Sequence, residues 1–169
     1  GRAPLALSVD LATASTDAVL SKGDATLAMH RSAATPDLTR IDLTRVPLAW
    51  SQALLSQAWP AANLKAGHMT GGLDIDTAVS RPLRVSGRLA VSGLGLDTQD
   101  GSIAAEGLGA DLDIDYRSSS TGSLVTVDGQ LRGGEILAGS AYIALPSTPV
   151  NISLAARQAG QGGWEIPQL

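Results

Sequence analysis

Two near-copies of one phrase constrain this chain most. They are Leu83-Arg84-Val85-Ser86-Gly87-Arg88-Leu89 and Val125-Thr126-Val127-Asp128-Gly129-Gln130-Leu131. Both read apolar-x-Val-x-Gly-x-Leu, so an apolar residue recurs at every second position, as one face of a pleated strand requires. In each copy a glycine occupies the apolar phase, where a strand normally carries bulk. Glycine there marks a bend, a bulge or a close backbone approach. Strands of this kind curl a sheet and leave its concave face apolar.

The same alternation runs through most of the chain. Leu5, Leu7, Val9 and Leu11 predict a first strand, Ala25, Leu27 and Met29 a second, and Ile41-Asp42-Leu43 the centre of a third. The polar stretch Ser21-Lys22-Gly23-Asp24 separates the first two, and Thr35-Pro36-Asp37 is turn chemistry. From Pro47 the period changes: Leu48, Ser51, Gln52, Leu55 and Trp59 share a helical stripe, widened by Trp50 and Leu54. Proline suits a first helical turn, so one amphipathic helix is expected over about 47–59. A strand-rich half follows, about 69–156.

Within that half Leu73, Ile75, Thr77 and Val79 point one way, and Arg81-Pro82 turns the chain into Leu83–Val91. Gly93 and Gly95 break the alternation, and Asp97-Thr98-Gln99-Asp100-Gly101 reads as a hairpin loop. Ile103 and Ala105 suggest a short strand, and Ala110, Leu112, Ile114 and Tyr116 a separate one. After Val125–Leu131, Leu137 to Leu145 reads as one strand and Val150, Ile152 and Leu154 as another. Gln158 to Gly163 reads as flexible, with a last strand through Trp164 and Ile166. Short connections favour antiparallel pairing.

The expected fold is therefore mainly β: a curled antiparallel sheet with one amphipathic α-helix. It forms an open groove or a partly closed barrel or sandwich. At 169 residues it is expected to be one domain, cut from a longer protein that holds any membrane anchor. Groove-facing candidates are Leu73, Ile75, Val79, Leu83, Val85, Gly87, Leu89, Val91, Leu112, Ile114, Val125, Val127, Gly129 and Leu131.

Composition narrows the function classes. A net charge of −4, with the 12 basic residues scattered, argues against nucleic acid, whose binding rests on clustered Lys and Arg. With no cysteine there is no disulfide and no thiolate chemistry. Asp111, Asp113 and Asp115 alternate with Leu112 and Ile114, so they line one strand face, which reads as a solvated outer surface. A calcium site would need a loop that gathers such oxygens. His30 and His68 stand apart, and no His-Glu-x-x-His or Gly-x-Ser-x-Gly occurs. Gly93-x-Gly95 and Gly107-x-Gly109 lack the third glycine of a dinucleotide loop. No enzyme signature and no cofactor follow from these residues.

One arrangement has a counterpart among known families. Ile41-Asp42-Leu43 precedes the helix Leu48–Trp59, then Leu64-Lys65-Ala66-Gly67 leads into Gly71-Gly72-Leu73-Asp74-Ile75. With Val85-Ser86-Gly87-Arg88-Leu89 and Gly93-Leu94-Gly95-Leu96, this order resembles the AsmA-like and YdbH-like periplasmic proteins of Gram-negative bacteria, over roughly residues 38–145. The resemblance implies a long curled sheet forming a hydrophobic gutter, anchored at the inner membrane through segments outside this stretch. It implies phospholipid acyl chains as cargo between the two membranes, and neighbouring repeats of the same chain as partners. Two other classes fit the texture of the sequence: an assembly component resembling the N subunit of type II secretion systems, and a passive structural domain.

Overall fold

The computed structural model describes residues 3–159 and 164–168. Among them, twelve strand segments form one antiparallel sheet that does not close into a barrel. The first four are β1 (Ala6–Leu11), β2 (Ser15–Lys22), β3 (Ala25–Ser32) and β4 (Leu38–Pro47). A helical segment follows, a 3₁₀ turn Leu48–Ser51 running into α1 (Gln52–Ala58). Then come the long strands β5 (Ala62–Asp76), β6 (Leu83–Thr98), β7 (Ile103–Ser119) and β8 (Gly122–Arg132). β9 (Glu135–Ala138), β10 (Ala141–Ala144), β11 (Val150–Ala159) and β12 (Trp164–Gln168) complete the chain.

Each strand pairs with the next, with two exceptions that resolve into the same rule. β8 and β9 are two halves of one broken strand, and β10 and β11 two halves of the next. β11 lies on β8 and β10 on β9. Across the two breaks the ladder is kept by Gly133 N–H donating to Pro146 O and Leu145 N–H to Gly134 O, both 2.9 Å. The sheet is thus a plain meander, with β1 and β12 as its edges.

A crease crosses the middle strands. Arg45 (φ 47°), Gly67 (108°), Gly93 (61°), Gly107 (68°) and Gly133–Gly134 (58° and 78°) carry left-handed backbone in five successive strands. Pairing shifts register beside them, between Leu43 and Val46, Leu64 and His68, and Val91 and Leu96. A bulge inserts one residue and so changes which parity faces the core. That is why the apolar series of β6 runs Val85, Leu89, Val91 and then Leu94, Leu96. Gly93 and Gly95 do not end this strand, as the alternation alone suggested, and Ile103–Ala105 and Ala110–Tyr116 are one strand bent at Gly107.

Three further corrections concern the chain's weaker signals. β2 is a strand that the alternation does not announce, because its apolar face carries only Thr16, Ala18 and Leu20, and of the expected polar separator Ser21 and Lys22 belong to it. The stretch Leu137–Leu145 is a hairpin turning at Gly139 (φ 59°), with Ile136 opposite Ile143 and Leu137 opposite Tyr142. Gln158 belongs to β11, and the rest of the expected flexible stretch, residues 160–163, lies outside the described residues apart from Ala159, which ends that strand.

The helix is shorter than its stripe predicted, yet it lies against β4 and β5. Leu48 is buried over Gly67, Trp50, Leu55 and Trp59 are half-buried, and Leu54 is exposed. Gln52 fixes the helix to the sheet. β4 stops at Pro47, which leaves the start of β5 without a neighbour on that side. There the Gln52 amide stands in for a strand: Nε2 donates to Ala62 O (2.9 Å) and Oε1 accepts from Leu64 N–H (2.7 Å). Gln52→Ala would leave both part-buried backbone groups unpaired, at about 1–3 kcal/mol. We expect urea denaturation to show that loss, and Gln52→Glu, which keeps the acceptor, to fall between the two.

Buried apolar side chains are few among the described residues, and Val46 is the one large side chain fully buried. Leu43 and Val46 flank the β4 bulge, Leu48 sits on Gly67, and Leu108 follows Gly107, so the dry core follows the crease.

Candidate functional site

Cross-strand register shows how the apolar residues gather. One row runs Leu20, Leu27, Leu43, Gly71, Leu89, Leu112, Gly129, Ile152 from β2 to β11. The next runs Ala18, Met29, Ile41, Leu73, Gly87, Ile114, Val127, Leu154 in the same way. Beside it Ile75, Val85, Tyr116 and Val125 continue the face, and on the other side Val91, Ala110 and Leu131 do so. All the candidates read from sequence therefore share this face except Val79. That residue lies in the loop between β5 and β6 and is fully exposed, because the alternation it continued ends at Asp76. Leu83 begins β6 at the rim, 40% exposed.

The face is continuous, and no other described element covers it. Elements in contact are neighbours within the sheet, together with the helical segment at the crease. Leu73, Val85, Leu89, Leu112, Ile114 and Val127 are consequently half-buried, each shielded by its lateral neighbours. At the β1 edge the same face carries Leu7 and Leu11 at 69% and 75% exposure.

The glycines in these rows are where neighbouring backbones approach too closely for a side chain. A Cβ on Gly87 (φ 156°) would overlap the carbonyl oxygen of Gly72, and one on Gly71 (φ 147°) that of Arg88. Gly72 and Arg88 are a cross-strand pair, so both close approaches fall at one place between β5 and β6. On β8, a Cβ at Gly129 would overlap the carbonyl oxygen of Asp111 on β7. Glycine kinks in neighbouring strands are how a sheet acquires curvature without closing.

Charge is segregated to the opposite face. Asp111, Asp113 and Asp115 each hold an arginine from a nearby strand or their own: Arg132, Arg88 (2.8 Å), and both Arg84 (2.5 Å) and Arg117 (3.0 Å). The Arg117 and Arg84 hydrogen bonds hold the Asp115 carboxyl below its ordinary range, and Asp113 raises the Arg88 guanidinium. Further along, Arg40 reaches Asp42 and Asp74, both at 3.3 Å, passing over Gly72, where a side chain would collide with its guanidinium. His30 pairs with Asp17 at 2.5 Å on this side too. The aspartate rows are thus an outer surface laced by arginine, and among the described residues no group of three His, Cys, Asp or Glu could hold a metal.

By register and alternation, no Asp or Glu of the described strands falls on the apolar face. Two cations do: Lys22 and Arg31, in phase with Ala25, Leu27 and Met29 on the β2–β3 hairpin. The reading from sequence passed over both; their phase with Leu27 and Met29 was the signal available.

The fold and its two faces define an open, single-sheet antiparallel β-protein, charged on one side and apolar on the other. Comparison with protein-family models, with curated proteins and with solved structures gave no match.

Proposed function

We propose that the apolar face is a groove for lipid acyl chains, and that the chain acts as a segment of a periplasmic bridge carrying phospholipid between two membranes. The observation that carries this reading is the segregation just described. An acid-free apolar surface spans nine strands, stays largely half-exposed, and backs onto a surface that carries the acidic residues and most of the arginines. Soluble monomers rarely expose contiguous apolar patches beyond a few hundred Å² unless the patch binds something. Hydrocarbon suits this one because it asks for no hydrogen bonds and no fixed shape, only a continuous dry track. Gly71, Gly87 and Gly129 leave the middle of this track free of side-chain bulk. The resemblance to AsmA-like and YdbH-like proteins points to the same cargo and to an inner-membrane anchor elsewhere in the protein. Neighbouring repeats would continue the sheet at β1, whose six residues are all exposed.

The test is native mass spectrometry of the protein purified from a Gram-negative host without detergent. Adducts at phospholipid masses, lost on delipidation and regained from liposomes, are the expected result. A protein that carries no lipid and takes none up from liposomes would overturn the reading.

A further inference from the structure

Resting on the groove reading, we propose that Arg31, flanked by Thr16 and Thr39, is a headgroup site that selects lipids bearing an anionic phosphate. The three residues are cross-strand partners on β2, β3 and β4 and lie on the apolar face, at the rim where the β1–β2 and β3–β4 loops meet. A depression of about 220 Å³ opens there, lined by Thr13, Thr16, Arg31 and Pro36 among others.

Three observations converge on a phosphate. The first is the state of the guanidinium. Nε donates to Pro36 O at 2.5 Å, which fixes the plane of the fork, and Arg31 enters no ion pair among the described residues. By contrast Arg40, Arg45, Arg81, Arg84, Arg88, Arg117 and Arg132 all pair with aspartates. A fixed fork with free terminal N–H groups matches two phosphate oxygens at once, which an ammonium cannot do. The second is the company it keeps: two hydroxyls flank it and no carboxylate shares its face, so an anion would meet donors and no repulsion.

The third is distance. From Arg31 along β3 to Ala25, the partner of Lys22, the face carries Met29, Leu27 and Ala25 over six positions, about 20 Å at ~3.4 Å per residue. One leaflet of a bilayer core is roughly 15 Å deep, half of ~30 Å. An acyl chain whose phosphate sits on Arg31 would therefore fit on the apolar run beside it. A free phosphate would have no use for that run, and this is what commits the site to a lipid.

The experiment compares dioleoyl phosphatidylglycerol with dioleoylglycerol, which has the same chains and no phosphate. Binding of each to the parent protein, to Arg31→Gln and to Arg88→Gln on the charged face is read by native mass spectrometry. Losing a charge-assisted hydrogen-bond pair typically costs on the order of tenfold in affinity. We expect the parent to favour phosphatidylglycerol by roughly that factor, Arg31→Gln to bind both lipids equally and dioleoylglycerol as well as the parent, and Arg88→Gln to match the parent. An unchanged preference in Arg31→Gln, or no preference in the parent, would overturn the headgroup site and leave the groove standing. Displacement of phosphatidylglycerol by millimolar inorganic phosphate would overturn it in favour of a free-phosphate site. A parent that binds neither lipid would overturn the groove and the headgroup site together.

Discussion

Gly87→Ala should cost about 2–4 kcal/mol of stability, a large share of what a domain of this size possesses. The added methyl would overlap the Gly72 carbonyl oxygen, and its backbone, at φ 156°, is a conformation L residues avoid. Neither term can relax cheaply, because the obstructing atom is backbone in the adjacent strand and belongs to the cross-strand pair Gly72–Arg88. Gly101→Ala is the control. That glycine also has positive φ, 69°, but a Cβ there meets nothing within 4 Å, so only the left-handed penalty of about 1–2 kcal/mol applies. Urea unfolding followed by circular dichroism separates the two. Equal losses would show that Gly87 is an ordinary turn-type glycine and that the sheet does not depend on a bend at that point.

Val127→Asp should leave a folded protein that has lost its lipid. Val127 lies between Ile114 of β7 and Leu154 of β11 in the centre of the apolar face, half-buried by them and open above. A carboxylate there would be the first acid on that surface. In a closed core an unpaired charge is among the few strongly destabilising changes, whereas on an open sheet it keeps its water. The expected loss of stability is therefore only the lost contact of one side chain, about 1–2 kcal/mol. An acyl chain crossing the site would have to strip that water, so capture should fall steeply. Circular dichroism and crosslinking to a photoreactive phospholipid read the two effects apart. A folded Val127→Asp that crosslinks as well as the parent would contradict an acyl track at this position. An unfolded one would mean that the face is covered.

The sidedness of the long strands was legible because it is local. Alternation in Leu83–Leu89 and Val125–Leu131 fixes which residues share a face, and each antiparallel partner inherits the phase from its neighbour. The same logic placed Asp111, Asp113 and Asp115 on the far side. It failed at Gly93 and Gly107, where a bulge changes the parity and a fixed period of two reads an interruption. It failed at Val79, where the pattern ran three positions past the end of the strand. β2 escaped notice because Thr16 and Ala18 take apolar positions without being large. The arginine partners of the aspartates were invisible for another reason: Arg84 and Asp115 are 31 positions apart, Arg40 and Asp74 34, and only the meander brings them together.

What the sequence determined by itself is the period, the antiparallel order that short turns impose, and the segregation of charge from apolar bulk. Those are properties of the backbone's pleat and of residues one to a few positions apart. The tertiary structure alone decided that no second layer of the described residues covers the apolar face, since an alternating strand reads the same whether its greasy side meets a facing sheet or stays open. It also decided that β7 is shared between β8 and β9, that a glutamine amide closes the gap left by β4, and that Arg31, held by the Pro36 carbonyl, has no ion-pair partner among the described residues. Each of these depends on which distant segment arrives beside which, and pairing across such distances is set by the whole sheet at once.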